Sequence, residues 1–195
     1  MKKVGVLFSG GLDSTYLIWK NLNEGNYVIP LYIEIENNPS KTILEKNRIE
    51  LLYKEFNNLF PDKIKSPEII LSAHVFSVNN TLIFKQLPIW ILGLIYKHNF
   101  LEIDEYQIGY IGNDDILGYI DDVIKIYESY RSVLEDNQIP LIFPLKKQYK
   151  DIIVKELPKN ILKLVVSCEN PILQNNNEND YLIYEPCGEC DSCVR

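Results

Sequence analysis

Lys3-Val4-Gly5-Val6-Leu7-Phe8-Ser9-Gly10-Gly11-Leu12-Asp13-Ser14-Thr15 opens the chain with a short apolar run, a glycine turn and the start of a helical pattern. Residues 3–8 read as a buried strand and residues 15–22 as a helix, stopped by Asn23, Gly25 and Asn26. The turn therefore lies beyond the carboxyl end of a strand and at a helix N-terminus, where open α/β sheets place their ligands. Two glycines let the backbone approach an anion, successive N–H groups form a concave nest, and the helix dipole adds positive potential. Phosphate is the natural guest. Ser9 and Ser14 can donate hydroxyl hydrogen bonds, whereas Asp13 would repel bare phosphate and suits a Mg²⁺ ion or the turn itself. No lysine follows Gly11, so this is not the lysine-bearing phosphate loop, and the glycine spacing is not that of the dinucleotide fingerprint. The plainer reading is a tight strand–helix turn with Asp13 or Ser14 as an N-cap.

Outward from the turn, the same alternation repeats. Residues 27–35 read as a second strand, and Thr42 with Glu45 forms a capping box ahead of a long helix carrying Ile43, Leu44, Ile49, Leu52 and Phe56. A third strand spans 68–75, and a helix runs from Asn79 or Asn80 to about His98, bent or interrupted by Pro88 and Gly93. A fourth strand covers 106–111. A Gly/Asp-rich loop, a helix over 121–134, a connection over 140–144 and a helix over 148–157 follow, and the apolar run 161–166 leads into a cysteine tail. Strand–helix alternation implies parallel strands joined by helical crossovers, hence an α/β, doubly wound, mostly parallel sheet. Residues 1–166 form that domain, and residues 167–195 a zinc-binding segment packed on it, with 174–180 an exposed Asn-rich loop.

The 195 residues carry 20 Lys and Arg against 27 Asp and Glu, a net charge of −7, and 46% are apolar. That balance supports a globular core and disfavours tight nucleic-acid binding, which relies on Lys and Arg displacing counterions. The apolar run near the start is too short for a leader, and no segment has the length of a membrane span, so a cytoplasmic protein is expected. Cys168, Cys187, Cys190 and Cys193 all lie near the C-terminus. Without a secretory signal such clustering points to metal, as a closed four-thiolate zinc site or an iron–sulfur cluster, with redox thiols a further reading. Cys168 would anchor the metal to the last strand. His74 and His98 read as structural, and Arg131 as a surface residue.

The string Ser9-Gly10-Gly11-Leu12-Asp13-Ser14 resembles the pyrophosphate loop, or PP-loop, of the adenine nucleotide alpha-hydrolase-like superfamily. Together with Ser167-Cys168 and the later Cys187-Gly188-Glu189-Cys190 and Cys193, it makes the chain similar to the 7-cyano-7-deazaguanine synthases of queuosine biosynthesis. The resemblance implies ATP held by Phe8, Ser9, Gly10, Gly11, Leu12, Asp13, Ser14 and Thr15, with Mg²⁺ near Asp13. Asp13, Ser14 and Lys150 are then the catalytic set, and the four cysteines hold Zn²⁺. Asp115, Tyr119 and Asp121 fall in a segment resembling the family's substrate segment, beside a deazaguanine carboxylate that is adenylated and attacked by ammonia. The resemblance also implies a homodimer.

Several positions depart from the family pattern. Ile120 and Val123 replace a proline and an arginine, Leu87-Pro88-Ile89-Trp90-Ile91 lacks the family's Arg and Asn, and residues 36–40 carry no match. Three alternatives follow. The activated acid passes to a protein amine in an antiviral system, the loop serves a transfer-RNA thiolase, or the protein binds nucleotide without turnover.

Overall fold

The computed structural model describes residues 1–36, 38–74, 77–78, 81–82, 86–97, 102–112, 114–134, 139–174, 183–190 and 193. Five strands, β1 (Lys3–Leu7), β2 (Tyr27–Glu36), β3 (Glu68–His74), β6 (Glu105–Gln107) and β7 (Leu141–Ile142), form one sheet. Between them run α1 (Leu12–Asn23), α2 (Pro39–Leu59), the short hairpin of β4 (Ser77–Val78) and β5 (Thr81–Leu82), α3 (Gln86–Lys97) and α4 (Ile120–Val133). After β7 come α5 (Lys150–Glu156), α6 (Lys159–Leu162) and a second hairpin, β8 (Ile172–Gln174) with β9 (Ile183–Glu185). The sheet order is β3-β2-β1-β6-β7, and every pairing within it is parallel.

The chain builds outward from β1 to β3, then returns to lay β6 on the other side of β1. That reversal opens a crevice at the carboxyl ends of β1 and β6. Along β1 the side chains alternate: Val4, Val6 and Phe8 enter a core shared with α1, α2 and α5, while Leu7 enters one shared with α3 and α4. β2 divides likewise, Val28 and Tyr32 to the first core, Ile29, Leu31 and Ile33 to the second. The sheet is thus covered on both faces, as the alternation of elements requires. Among the described residues no helix is long and apolar enough to cross a membrane.

Several local expectations are corrected. α1 begins at Leu12 with Gly11 as N-cap and no side-chain cap bond, so neither Asp13 nor Ser14 caps it. α2 is capped by Asn38, whose side chain accepts from the Lys41 N–H, because Pro39 starts the helix well before Thr42. Thr42 and Glu45 therefore make no capping box; Thr42 Oγ1 donates to the Asn38 carbonyl instead. Residues 81–82, expected in a helix, form β5; Asn79, Asn80 and His98 lie outside the described residues. Pro88 sits in the first turn of α3, where its missing N–H costs nothing, and Gly93 does not interrupt the helix. Gly93 lets α3 lie on the sheet, since a Cβ there would come within 2.6 Å of Ile33 Cδ1. The proline-bounded connection at 140–144 contains β7, and the run 161–166 is the end of α6 followed by a turn and irregular chain, with no strand for Cys168 to extend.

Leu17 is fully buried between α1 and the sheet. Leu17→Ala is expected to lower stability by about 3 kcal/mol, read from urea denaturation, since the cavity it leaves is enclosed by neighbouring core side chains.

Candidate nucleotide and metal site

Phe8 follows β1 and its N–H donates to the Leu31 carbonyl at 2.8 Å, fixing the direction of the turn. Gly10 then adopts φ of +77°, the left-handed region, which aims the chain back into α1. The Ser14 hydroxyl folds into the turn, donating to the Gly11 carbonyl at 3.2 Å and accepting from the Ser9 N–H at 3.4 Å. The free N–H groups of the first helical turn have no intrahelical partners and are the natural donors to an anion. Of the eight expected loop residues, Phe8, Ser9, Gly11, Leu12, Asp13 and Ser14 line a cavity of about 320 Å³ in the crevice. Gly10 turns toward α2, and Thr15 is buried inside α1.

Asp13 sits at the centre of the electrostatics. Its Oδ1 is buried with no hydrogen-bond partner. Burial pushes its carboxyl up to about 6, with Lys150 at the start of α5 opposing the shift and Asp114 adding to it. An unpartnered, buried carboxylate oxygen beside a phosphate cradle matches the oxygen chemistry of a hard divalent cation.

The opposite wall was not legible from motifs. Tyr32 donates to Glu45 at 2.7 Å, Lys41 pairs with Glu169 at 2.6 Å, and Arg48 lines the cavity from α2. Glu45 is raised in pKa by burial. Across from them Trp90 packs on Tyr110, with centroids 5.9 Å apart, and Tyr110 stacks on Phe143 at 6.1 Å. Trp90, Tyr110 and Phe143 thus give this side of the site an aromatic wall. Burial and the nearby Asp114 carboxylate raise the Tyr110 hydroxyl in pKa.

The expected substrate residues fall elsewhere. Asp115 and Tyr119 lie in an exposed 3-10 turn and Asp121 in the exposed first turn of α4; none lines the cavity. Asp114, one residue earlier, does line it, with Oδ2 accepting from the Ile111 N–H at 2.7 Å. Arg131 is no surface residue: it is buried against Tyr127, donating to its hydroxyl at 2.8 Å. Of the histidines, His74 ends β3.

The four cysteine sulfurs lie within 4.8 Å of one another. Cys168 to Cys187 is 3.6 Å, Cys190 to Cys193 3.5 Å, and Cys187 to Cys193 4.0 Å. A tetrahedral ion with Zn–S bonds near 2.3 Å sets its sulfurs about 3.8 Å apart, which matches this spacing. Backbone N–H groups of Glu169, Cys187 and Cys190 donate to the sulfurs of Cys190, Cys168 and Cys187. The Glu169 amide draws the Cys190 thiol down to about 6, toward the thiolate that a metal takes. This centre touches the loop. Val166 N–H donates to the Gly10 carbonyl at 3.3 Å, Leu12 N–H to Ser167 Oγ at 3.4 Å, and Cys168 and Glu169 line the cavity.

Fold and site together are a parallel α/β sheet with a glycine turn at the carboxyl end of β1 and, beside it, a four-cysteine cluster that could hold a metal. No protein-family model matches the chain. The chain is 27% identical, over 98% of its length and 93% of the relative's, to 7-cyano-7-deazaguanine synthase 2 of Rhodopseudomonas palustris strain HaA2. The resemblance carried by the motifs is thus matched by a similarity that extends along nearly the whole chain. Among solved structures, the U34-tRNA thiolase NcsA from Methanococcus maripaludis with its [4Fe-4S] cluster gives a TM-score of 0.45 at 18% identity. That match covers 84% of this chain and 58% of the thiolase. A protein described as a predicted subunit of a tRNA methyltransferase from Methanocaldococcus jannaschii gives 0.40 at 18% identity, covering 80% of this chain and 73% of its own.

Two outcomes are expected. Between pH about 4 and 6 the folded protein keeps the Asp13 proton that the unfolded chain has released, so this group's contribution to stability falls as pH rises through that window. Asp13→Asn should therefore be more stable than wild type by about 1–2 kcal/mol above pH 7, with the advantage gone near pH 4, read from denaturation at both. Titration with Zn²⁺ should raise the melting temperature and a chelator should reverse the gain, because the chain that leads into Cys168 also braces the turn through the Val166 and Ser167 hydrogen bonds.

Proposed function

We propose that the protein is an ATP-dependent carbon–nitrogen ligase that adenylates a 7-deazaguanine carboxylate for attack by ammonia, giving 7-cyano-7-deazaguanine by way of the amide. The observation that carries this reading is a single cavity joining the phosphate loop, the unpartnered Asp13 oxygen and the Trp90–Tyr110 wall. The similarity to a deazaguanine synthase along nearly the whole chain supports the substrate class.

ATP lies with its pyrophosphate on the N–H groups and hydroxyls of Ser9 to Ser14, and Lys150 offsets charge there. Asp13 would hold Mg²⁺, which would supply charge neutralisation on the phosphates. The flat bicyclic acid stacks against Trp90, and Asp114 accepts hydrogen bonds from the amino and ring N–H groups of its guanine-like face. Its carboxylate oxygen bonds to the α phosphorus as the bond to the pyrophosphate oxygen breaks, giving an acyl adenylate. Ammonia then adds to the carbonyl carbon, AMP departs, and a proton is lost to leave the amide. The amide oxygen then bonds to the α phosphorus of a second ATP as pyrophosphate leaves and one N–H proton is lost, and departure of AMP with the second N–H proton gives the nitrile. Placement and charge stabilisation do the work of the protein. Cys168, Cys187, Cys190 and Cys193 would hold one Zn²⁺ as a structural brace, a choice their close sulfur spacing favours over a cubane several atoms wide.

The test is incubation with Mg·ATP and 7-carboxy-7-deazaguanine, with and without ammonia, followed by AMP, pyrophosphate and product mass. Acid-dependent AMP and an ammonia-dependent amide or nitrile are expected, with Asp13→Asn slower by roughly 100-fold. Absence of acid-dependent AMP overturns the reading. Product on a protein amine would instead place the acceptor outside ammonia, and sulfur appearing in transfer RNA would make the protein a thiolase.

A further inference from the structure

We infer that Arg48, on α2, is the residue that grips the pyrophosphate leaving group, an assignment that rests on the ATP-cleaving reading above. α2 lies directly over the loop: a Cβ on Gly10 would stand 3.2 Å from Arg48 Cβ and 3.6 Å from the Ile49 nitrogen. The side chain of Arg48 reaches into the same cavity as Ser9, Gly11 and Asp13. Its Nε is buried without a hydrogen-bond partner, and among the described residues it makes no ion pair that would neutralise it.

The neighbouring acids are engaged elsewhere. Glu45 accepts from Tyr32, Glu169 pairs with Lys41, Asp114 caps the Ile111 N–H, and the positive charge opposing the shift of Asp13 is that of Lys150. A guanidinium stays protonated at any pH the fold survives, so burying its Nε without a partner is costly until an anion arrives. Lys41, the other cation lining the cavity, already has its carboxylate. That leaves Arg48 as the cation in the cavity wall, among the described residues, open to a ligand.

Its position selects the ligand. It stands above Gly10, where the loop would cradle the outer phosphates. When the carboxylate oxygen bonds to the α phosphorus, the bond to the bridging oxygen breaks and the electron pair leaves on pyrophosphate. A planar fork set there gains contact strength as that charge develops, which is the condition for lowering the barrier. Arg48 is therefore a catalytic residue by contact with the reacting phosphates, and it restores from α2 a positive charge that the family pattern carries on other elements.

The experiment compares wild type, Arg48→Met and Arg48→Lys in full-length protein, titrated by calorimetry with Mg·pyrophosphate and with AMP, alongside kcat and KM. Pyrophosphate affinity should fall on the order of 10- to 100-fold in R48M and less in R48K, AMP affinity should hold, and kcat should drop. Retained AMP affinity also shows the site is folded. The assignment is overturned if both variants bind pyrophosphate as wild type does, if AMP affinity falls equally, or if only KM for the acid rises, which would make Arg48 the reader of the substrate carboxylate. Wild-type protein that binds neither ligand sinks the ATP reading itself, and this assignment with it.

Discussion

The first turn of α1 is braced from outside its own helix, and the site depends on that bracing. A glycine-rich turn has little conformational preference, and Gly11 caps α1 without a side-chain bond. What holds it are the Phe8 bond to β2, the Val166 and Ser167 bonds from the cysteine segment, and the weight of α2 on Gly10. Each of the three reaches the turn from a different part of the chain. The cysteine centre is therefore a structural partner of the glycine turn and not an appendage, since the segment that carries Cys168 also ties down Gly10 and Leu12.

The charges in the cavity are set against stability. Asp13 carries a buried, unpartnered carboxylate oxygen, and Arg48 a buried, unpartnered nitrogen. Neither arrangement favours folding, and both are the kind of local violation that natural proteins confine to functional sites and offset with a good core elsewhere. Here the two cores on either face of the sheet supply that offset, with Leu17, Ile18, Leu52 and Phe56 on one side and Leu94, Tyr106 and Leu141 on the other all essentially sealed from solvent.

What failed to read correctly in the sequence failed for identifiable reasons. β7 has two residues between prolines and is recognisable as a strand only through its pairing with Tyr106 and Gln107. The Thr42 and Glu45 pair mimics a capping box, but Pro39 behind Asn38 starts the helix earlier. Asp114 and Asp115 are adjacent and chemically identical, so only the backbone path of the loop could send one inward and the other to solvent. Arg131 looks like a solvated helix residue until Tyr127 and the second core close over it. Lys41, Glu45 and Arg48 give the pattern of a polar helix face, which is indistinguishable in sequence from a face turned to water.

Short-range chemistry was written in the chain: a strand followed by a two-glycine turn and a helix, alternating elements that demand a parallel sheet, and four thiols at spacings that one metal can gather. Those features depend on residues close in sequence, or on ligands whose chemistry is unmistakable, so the order of amino acids determines them. Tertiary structure alone decided which polar residues face the cavity, because the wall opposite the loop is assembled from α2, α3, the segment after β6 and the cysteine segment. Separations of tens to more than a hundred residues are closed only when the sheet forms, and no local pattern records which side chain will meet which across such a gap.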